Sequence, residues 1–382
     1  MSGPAVATGV HERLDRLASG ARAHDVDVLL VTGPVNVRYV TGFSGTTGLA
    51  LIAADGADPR SASPHTALGR QRFITDFRYE TQAREQVPDA FEREVVLDDL
   101  LEGVVGALGG GGGRLGFLEK SLTVADHARL RELLAEAWQL VPSGAIVAQL
   151  RAVKDDGEIA RIRAATELAD EALRAVLEGG LAGRTEREVA LELELQMRRR
   201  GADGPSFPPI VAAGAHAALP HAQPRDREIP PDVLVTIDWG ALHEGYCSDC
   251  TRSYATGEGI GARAREIYEL VRSAQQRAVG AVRAGASGRE LDAIARTQIE
   301  QAGHGEHFGH GLGHGVGLEV HEGPRLSRTA PDKPLAASNV VTVEPGVYIP
   351  GELGVRIEDL LVVREGGHEV LTSLPRDLTV VS

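Results

Sequence analysis

Apolar and polar positions divide this chain into two regions with different rhythms. Between about residues 10 and 145, short apolar runs alternate with helical spacing, the pattern of a small α/β unit. A helix near 10–24 leads to a strand at 26–31, followed by the segment 36–43 and a strand at 49–52. A strand at 73–76 and a helix at 79–86 come next. Residues 55–70, rich in Asp, Pro, Ser, Ala and Gly, read as a mobile surface loop. The run from Gly109 to Gly113 lacks the Gly-Lys-Ser/Thr ending of a phosphate loop and reads as a flexible connector.

A junction at about 145–155 opens the second region. A long helix runs from about Asp156 to Glu178, and Thr185 with Glu188 forms a capping box for a helix reaching about Arg200. Ser287 and Glu290 repeat the box for a helix reaching about Ala302. Between these helices lie β-branched runs at 233–239, 246–254, 340–344 and 355–363. Helices interspersed with hairpins indicate an α+β domain, not a doubly wound sheet. The order of helical pair then acid-bearing hairpin occurs twice, which suggests an internal duplication. A chain of 382 residues exceeds the usual single core, so two domains are expected, 1–145 and 146–382.

The chemistry is concentrated in the hairpins. A turn centred between His243 and Glu244 would set Asp238 opposite Asp249, with Cβ atoms ~5 Å apart. Two opposed carboxylates repel unless a cation or a proton lies between them. The competing reading is a solvated surface hairpin, but the strand carrying Asp238 is too apolar for an exposed edge. A second turn centred on Gly351 would set Glu344 opposite Glu358, with Arg356 on the same face as Glu358. Here the alternative is that Arg356 simply neutralises one glutamate. The segment 307–322 interleaves His307, His310, His314 and His321 with glycine, which is no packing pattern. By itself it does not say which histidine binds a metal. Asp238, Asp249, His314, Glu344 and Glu358 together form a ligand set for two hard divalent cations, Mn²⁺ first, with Co²⁺ or Zn²⁺ as alternatives. Such a pair can hold a bridging hydroxide and polarise a carbonyl, which is chemistry for amide hydrolysis.

Composition narrows the partners. A net charge of −14 argues against a nucleic-acid phosphate partner. The basic residues are nearly all arginine, with Lys120, Lys154 and Lys333 the exceptions, which reads as composition bias. Cys247 and Cys250 would point to opposite faces of a strand, so no disulfide is expected between them. With no disulfide framework, no secretory leader pattern and no long apolar stretch, a cytoplasmic enzyme without membrane contact is expected.

With the ligands placed, the chain resembles the pita-bread metallopeptidases, the group of methionine aminopeptidase, aminopeptidase P and prolidase. The resemblance rests on Thr236-Ile237-Asp238-Trp239-Gly240-Ala241, Ser248-Asp249-Cys250-Thr251-Arg252, the stretch 310–318, Val343-Glu344-Pro345-Gly346 and Arg356-Ile357-Glu358-Asp359. Asn36-Val37-Arg38-Tyr39-Val40-Thr41-Gly42-Phe43 and Thr75-Asp76-Phe77-Arg78-Tyr79 look like the creatinase-type N-terminal domain of the Xaa-Pro-cleaving branch. The resemblance implies an α+β pita-bread catalytic domain behind a smaller α/β domain. It implies that Asp238 chelates one metal, that Asp249 and Glu358 bridge both, and that His314 and Glu344 bind the other. Glu344 would also carry the proton from water to the leaving amine.

His221 matches the family's substrate-binding histidine, His321 the one at the scissile amide, and His310 one at the pocket rim. Arg356 would orient Asp238 or meet the substrate, and Phe207 with Pro208 would build the pocket wall. Cys250 departs from the usual Ile or Val and is expected to matter little. The implied substrate is a peptide with proline second, and the implied assembly is a homodimer. A creatinase-like amidinohydrolase or a non-enzymatic module on this fold would have lost ligands, whereas this chain keeps all five types.

Overall fold

The computed structural model describes residues 4–54 and 71–381; the reading of 55–70 as a mobile loop lies outside them. The chain forms two units, Met1–Arg151 and Ala152–Ser382. The boundary therefore falls after Arg151 instead of at 145. The helix Ile146–Ala152 explains the difference. Ile146 sits so close to Gly20 that a Cβ there would lie 2.9 Å from it, and Arg151 donates to Asn36 Oδ1 at 2.9 Å.

The first unit is built on one mixed sheet. Its strands are β1 (Val28–Val31), β2 (Leu49–Ala53), β3 (Gln71–Asp76), β4 (Phe91–Val96), β5 (Gly113–Phe117) and β6 (Trp138–Pro142). They are ordered β4-β3-β2-β1-β5-β6. β1 is buried along its whole length, as expected of a central strand covered on both faces. The segment 36–43 proves to be mostly helix, Pro34–Thr41, with proline in the first turn and left-handed Gly42 at its end. The glycine run is not a free connector: Gly109 terminates the helix Leu100–Leu108 and Gly113 begins β5.

The second unit repeats one plan twice. The helices Asp156–Glu178 and Glu186–Arg199 pack on a sheet of β8 (Ile210–Ala213), β9 (Leu234–Trp239) and β12 (Cys250–Ala255); β7 (Gly204–Pro205), β10 (Ala241–His243) and β11 (Tyr246–Cys247) form a second sheet, ordered β11-β10-β7. Leu173, Val176, Val189, Leu193 and Met197 meet Val235, Ile237 and Trp239 in one core. Both expected capping boxes are present, at Thr185 and Ser287, and a third at Asp155 starts the long helix.

The helices Ala262–Ala281 and Gly288–Gln301 cover the other half. Its sheet comprises β13 (Gly313–Gly315), β14 (Glu322–Leu326), β15 (Val340–Val343), β18 (Asp359–Arg364) and β19 (Gly367–Val370), ordered β14-β13-β15-β18-β19. The ribbon of β16 (Gly346–Ile349) and β17 (Leu353–Arg356) continues β15 and leads back into β18.

The two halves are tied by main-chain and side-chain bonds between β12 and the β17–β18 strand. Glu358 N donates to Thr251 O at 3.0 Å, and Ser253 Oγ lies 3.2 Å from Arg356 O. Behind them sits a buried ionic brace. Asp359 accepts from Arg252 at 2.7 Å, Gln275 at 2.6 Å and Thr372 at 2.6 Å, and also pairs with Arg376. Burial pushes the Asp359 carboxyl upward, but Arg252 and Arg376 outweigh it and hold it below its usual value. Arg252→Met would strand that carboxylate without its fully buried partner. The expected cost is about 3 kcal/mol, read as a lower midpoint in urea; an unchanged midpoint would show that the brace holds nothing.

Candidate metal centre

The register of the first hairpin differs from expectation. His243 pairs with Tyr246, so the turn is Glu244-Gly245, both at positive φ (47° and 80°). This is the two-residue turn whose twist suits a hairpin, and it favours glycine at its second position. Asp238 consequently faces Thr251, and Asp249 is not its direct partner. The slip is two residues, which keeps every side chain on its face because the strand period is two. Asp249 therefore reaches the same pocket diagonally, one step beyond Thr251. Gly245 was the signal that would have centred the turn correctly.

The second hairpin keeps the anticipated register. Gly346 pairs with Arg356 and Ile349 with Leu353 across Pro350-Gly351-Glu352, while Val343 pairs with Asp359. Glu344 and Glu358 thus stand at matching positions in the gap between the two ladders. β13 brings His314 to them. Glycines on either side allow this: a Cβ at Gly313 would lie 2.1 Å from Thr342 O, and one at Gly315 would lie 2.1 Å from Gly323 O.

Donor atoms of Asp249, His314 and Glu358 all lie within 4.8 Å of one another. His314 Nε2 is 3.2 Å from Glu344 Oε1 and 3.6 Å from Asp249 Oδ2. Its Nδ1 lies 3.1 Å from Gly315 O, a bond that leaves Nε2 free as the ligand nitrogen. Asp238 Oδ2 accepts from Arg356 at 2.7 Å. Thr251 donates to Glu358 Oε2 at 2.7 Å. The remaining oxygens, Asp238 Oδ1 and Glu358 Oε1, are buried and have no hydrogen-bond partner among the described residues. Orphaned buried carboxylate oxygens are costly unless a cation or proton meets them. The residues present therefore fit a pair of hard divalent ions.

Electrostatics point the same way. Burial, then the charges of Glu358, Asp238 and Glu344, pushes Asp249 well above the ordinary carboxylate range. Burial, then Glu344 and Asp238, does the same to Glu358. Burial also raises Asp238, against the opposing charge of Arg356. Burial would raise Glu344 too, but its hydrogen bond to His314 and the charges of His314, His310 and Arg356 outweigh that and set it at about 2. Among these acids the His314 imidazole is shifted as well. Burial disfavours its charge, yet Glu344 holds its pKa above the usual value.

Arg356 is the organiser of this wall. It is 4% exposed and donates to Asp238, to Thr251 Oγ1 (3.0 Å), to Tyr348 Oη (2.7 Å) and to Pro220 O (3.2 Å). Its guanidinium thus orients Asp238 directly, and it touches Glu358 only through Thr251. Tyr348 passes the chain on to His310 Nε2 at 2.8 Å, and His310 Nδ1 lies 2.8 Å from Gly311 O. Burial lowers the His310 pKa, so a neutral ring with its proton on Nδ1 fits both bonds.

His321 is exposed and its ring centre is 4.3 Å from that of His314. His221, also exposed, is near enough for its charge to lower both His310 and His321. Phe207 lies half-buried on the connection between β7 and β8, and Ile210 of β8 pairs with Asp238. His307 instead faces His304, with their Nδ1 atoms 3.2 Å apart.

Sequence reasoning passed over Thr251, Tyr348 and Thr342, which donates to Glu344 at 3.2 Å. Each is an ordinary strand residue until a partner strand arrives. Cys247 and Cys250 are free and buried; Cys250 turns its sulfur to Glu358 O at 3.4 Å.

Four carboxylates and an imidazole converge on one pocket, with Asp238 Oδ1 and Glu358 Oε1 unpaired among the described residues, the lining of a metallohydrolase type of centre. The pattern of metallopeptidase family M24 matches residues 160–365, and that of the creatinase/prolidase N-terminal domain matches residues 13–153. The Xaa-Pro dipeptidase of Pyrococcus furiosus is 36% identical, over 96% of this chain and 99% of that protein. The solved structure of the Xaa-Pro dipeptidase of Bacillus anthracis superposes with a TM-score of 0.89 at 38% identity, covering 97% of this chain and 99% of that one. The X-Pro aminopeptidase of Thermotoga maritima MSB8 superposes with a TM-score of 0.84 at 35% identity, covering 95% and 99%. This chain belongs to metallopeptidase family M24, with a creatinase-type domain ahead of its catalytic domain.

Asp249→Asn isolates the repulsion in the pocket. An acid whose folded pKa is raised destabilises the fold as pH climbs from its unfolded value towards its folded one. In metal-stripped protein the variant should therefore match the parent near pH 4 and gain on it by up to about 1.4 kcal/mol per pH unit above that. Urea unfolding at several pH values checks this; a gap that does not widen with pH would contradict the proposed crowding.

Proposed function

We propose that this protein hydrolyses the bond between an N-terminal residue and a following proline, using two divalent cations held by Asp238, Asp249, His314, Glu344 and Glu358. The observation that carries this reading is the pair of unpartnered buried oxygens, Asp238 Oδ1 and Glu358 Oε1, among four converging carboxylates. The family and the Xaa-Pro peptidases it superposes on support the choice of substrate. When bound, the cations activate a water and polarise the scissile carbonyl.

The chain's own groups supply the rest. Glu344 lies 3.2 Å from His314 in the same pocket, so its carboxylate is placed to take the proton of the attacking water. It then returns that proton to the prolyl nitrogen as the C–N bond breaks. An Xaa-Pro bond has no N–H for ordinary main-chain recognition, so binding must come from elsewhere. His321 and His221 supply donors toward the scissile group, His310 stands on the rim, and Phe207 with Pro208 forms an apolar wall for the ring. Arg356 works from behind by orienting Asp238.

Mn²⁺ is the proposed native metal, because the ligands are hard and no thiolate faces the centre. A homodimer is proposed from family resemblance. A cytoplasmic site is proposed from the free, buried cysteines. No helix of the described residues is long and apolar enough to cross a membrane.

The test is hydrolysis of an Xaa-Pro dipeptide and an Xaa-Pro-Xaa tripeptide by metal-stripped enzyme reloaded with Mn²⁺. Cleavage confined to the dipeptide makes it a dipeptidase; cleavage of the tripeptide makes it an aminopeptidase. Metal-dependent cleavage of neither would overturn the proposal. Glu344→Gln should lower kcat by at least about 10²-fold, measured on whichever substrate is cleaved.

A further inference from the structure

Glu186 occupies the first turn of the helix Glu186–Arg199, where an acidic residue ordinarily faces water and complements the helix dipole. Here capping is already done by Thr185 and Glu188, and Glu186 is only 2% exposed. Its Oε1 accepts from Ala213 N at 2.9 Å and its Oε2 from Arg225 N at 3.0 Å. His216 Nδ1 stands 2.9 and 2.8 Å from the two oxygens. All three donors belong to one loop, 213–225, and they include both of its ends. A buried carboxylate is tolerated when it gathers several N–H donors in this way.

The same loop is fixed from the metal side. Arg356 donates to Pro220 O at 3.2 Å, the residue immediately before His221. β17 runs so close that a Cβ on Gly354 would lie 1.8 Å from Ala217 O. Between these two attachments the loop presents His221 at the edge of a cavity of about 530 Å³, which Leu219, Gln223 and Arg225 also line. The loop therefore has a buried carboxylate anchor on one side, Arg356 on the other, and an exposed histidine between them.

We infer that Glu186 and His216 form a positioning pair that holds His221 in register with the metal centre. This rests on the reading of His221 as a substrate-binding residue. Glu186→Gln keeps the shape of the side chain but turns an amide N–H₂ toward the donors it must accept. His216→Leu removes one donor, whereas His216→Asn retains an N–H close to the Nδ1 position.

The experiment is a double-mutant cycle on the Mn²⁺-loaded enzyme with an Xaa-Pro substrate. Glu186→Gln alone should lower kcat/KM about tenfold, mostly through KM, with metal content unchanged. In a His221→Ala background the same substitution should cost nothing more. Equal losses in both backgrounds would make Glu186 a structural anchor and overturn the inference. If His221→Ala by itself leaves kcat/KM unchanged, the reading of His221 fails and the inference falls with it. Should Glu186→Gln not fold, His216→Leu carries the same cycle. His216→Asn should then recover most of the lost kcat/KM, and no recovery would also overturn the pairing.

Discussion

Mutual repulsion among buried carboxylates is the constraint on which the catalytic half depends. Asp238, Asp249, Glu344 and Glu358 meet where water is largely excluded, and Asp249 and Glu358 are each pushed well above the ordinary carboxylate range. Such a cluster is unfavourable for the chain alone. It survives because surrounding groups satisfy some of its oxygens, while others point unpaired at the position cations would take. Strongly shifted carboxyls of this kind are common at functional centres.

The surroundings follow from that constraint. Arg356 could have served as a simple counter-charge to a glutamate. It instead spreads its donors over Asp238, Thr251, Tyr348 and Pro220, so one guanidinium fixes a ligand, a ligand's neighbour, the route to His310 and the loop before His221. Behind the second hairpin, Asp359 and Arg252 hold β18 to β12. Adjacent acids therefore face opposite ways: Glu358 turns into the carboxylate pocket and Asp359 to the core. Strand alternation makes that division automatic.

The repeated plan of helix pair and hairpin gives the site its symmetry. Each half contributes two carboxylates, Asp238 and Asp249 from the first and Glu344 and Glu358 from the second, backed by its own apolar core. The halves differ in what they add around the metals. The second supplies His314 on a glycine-flanked strand, and the first supplies the loop of His221, tied down by Glu186. Both halves thus line one pocket, and Arg356 joins Asp238 to the loop before His221.

Much of this was legible in the amino-acid sequence. Apolar, β-branched runs marked the strands that carry the acids but not β4, β5, β6, β8, β13, β14 or β19, and capping boxes marked helix starts. Acidic residues inside apolar strands singled out the carboxylates that converge on one pocket, because burying a carboxylate there is costly unless a cation or a donor meets it. The register of the second hairpin followed from Gly351. The first was missed by two residues because the turn at Glu244-Gly245 needs a positive φ at a glutamate, which local propensity disfavours. The error did not move Asp249 off its face, since a slip of two preserves alternation. Thr251, Tyr348, Glu186 and His216 were invisible for a different reason. Their chemistry depends on partners distant in the chain: 30 residues separate Glu186 from His216, and 118 separate Arg356 from Asp238. The sequence alone determined which acidic residues lie in apolar strands and on which face. Only the tertiary structure decided which oxygens stay unpaired, because hydrogen-bond satisfaction is a property of what packs against a residue, not of the residue itself.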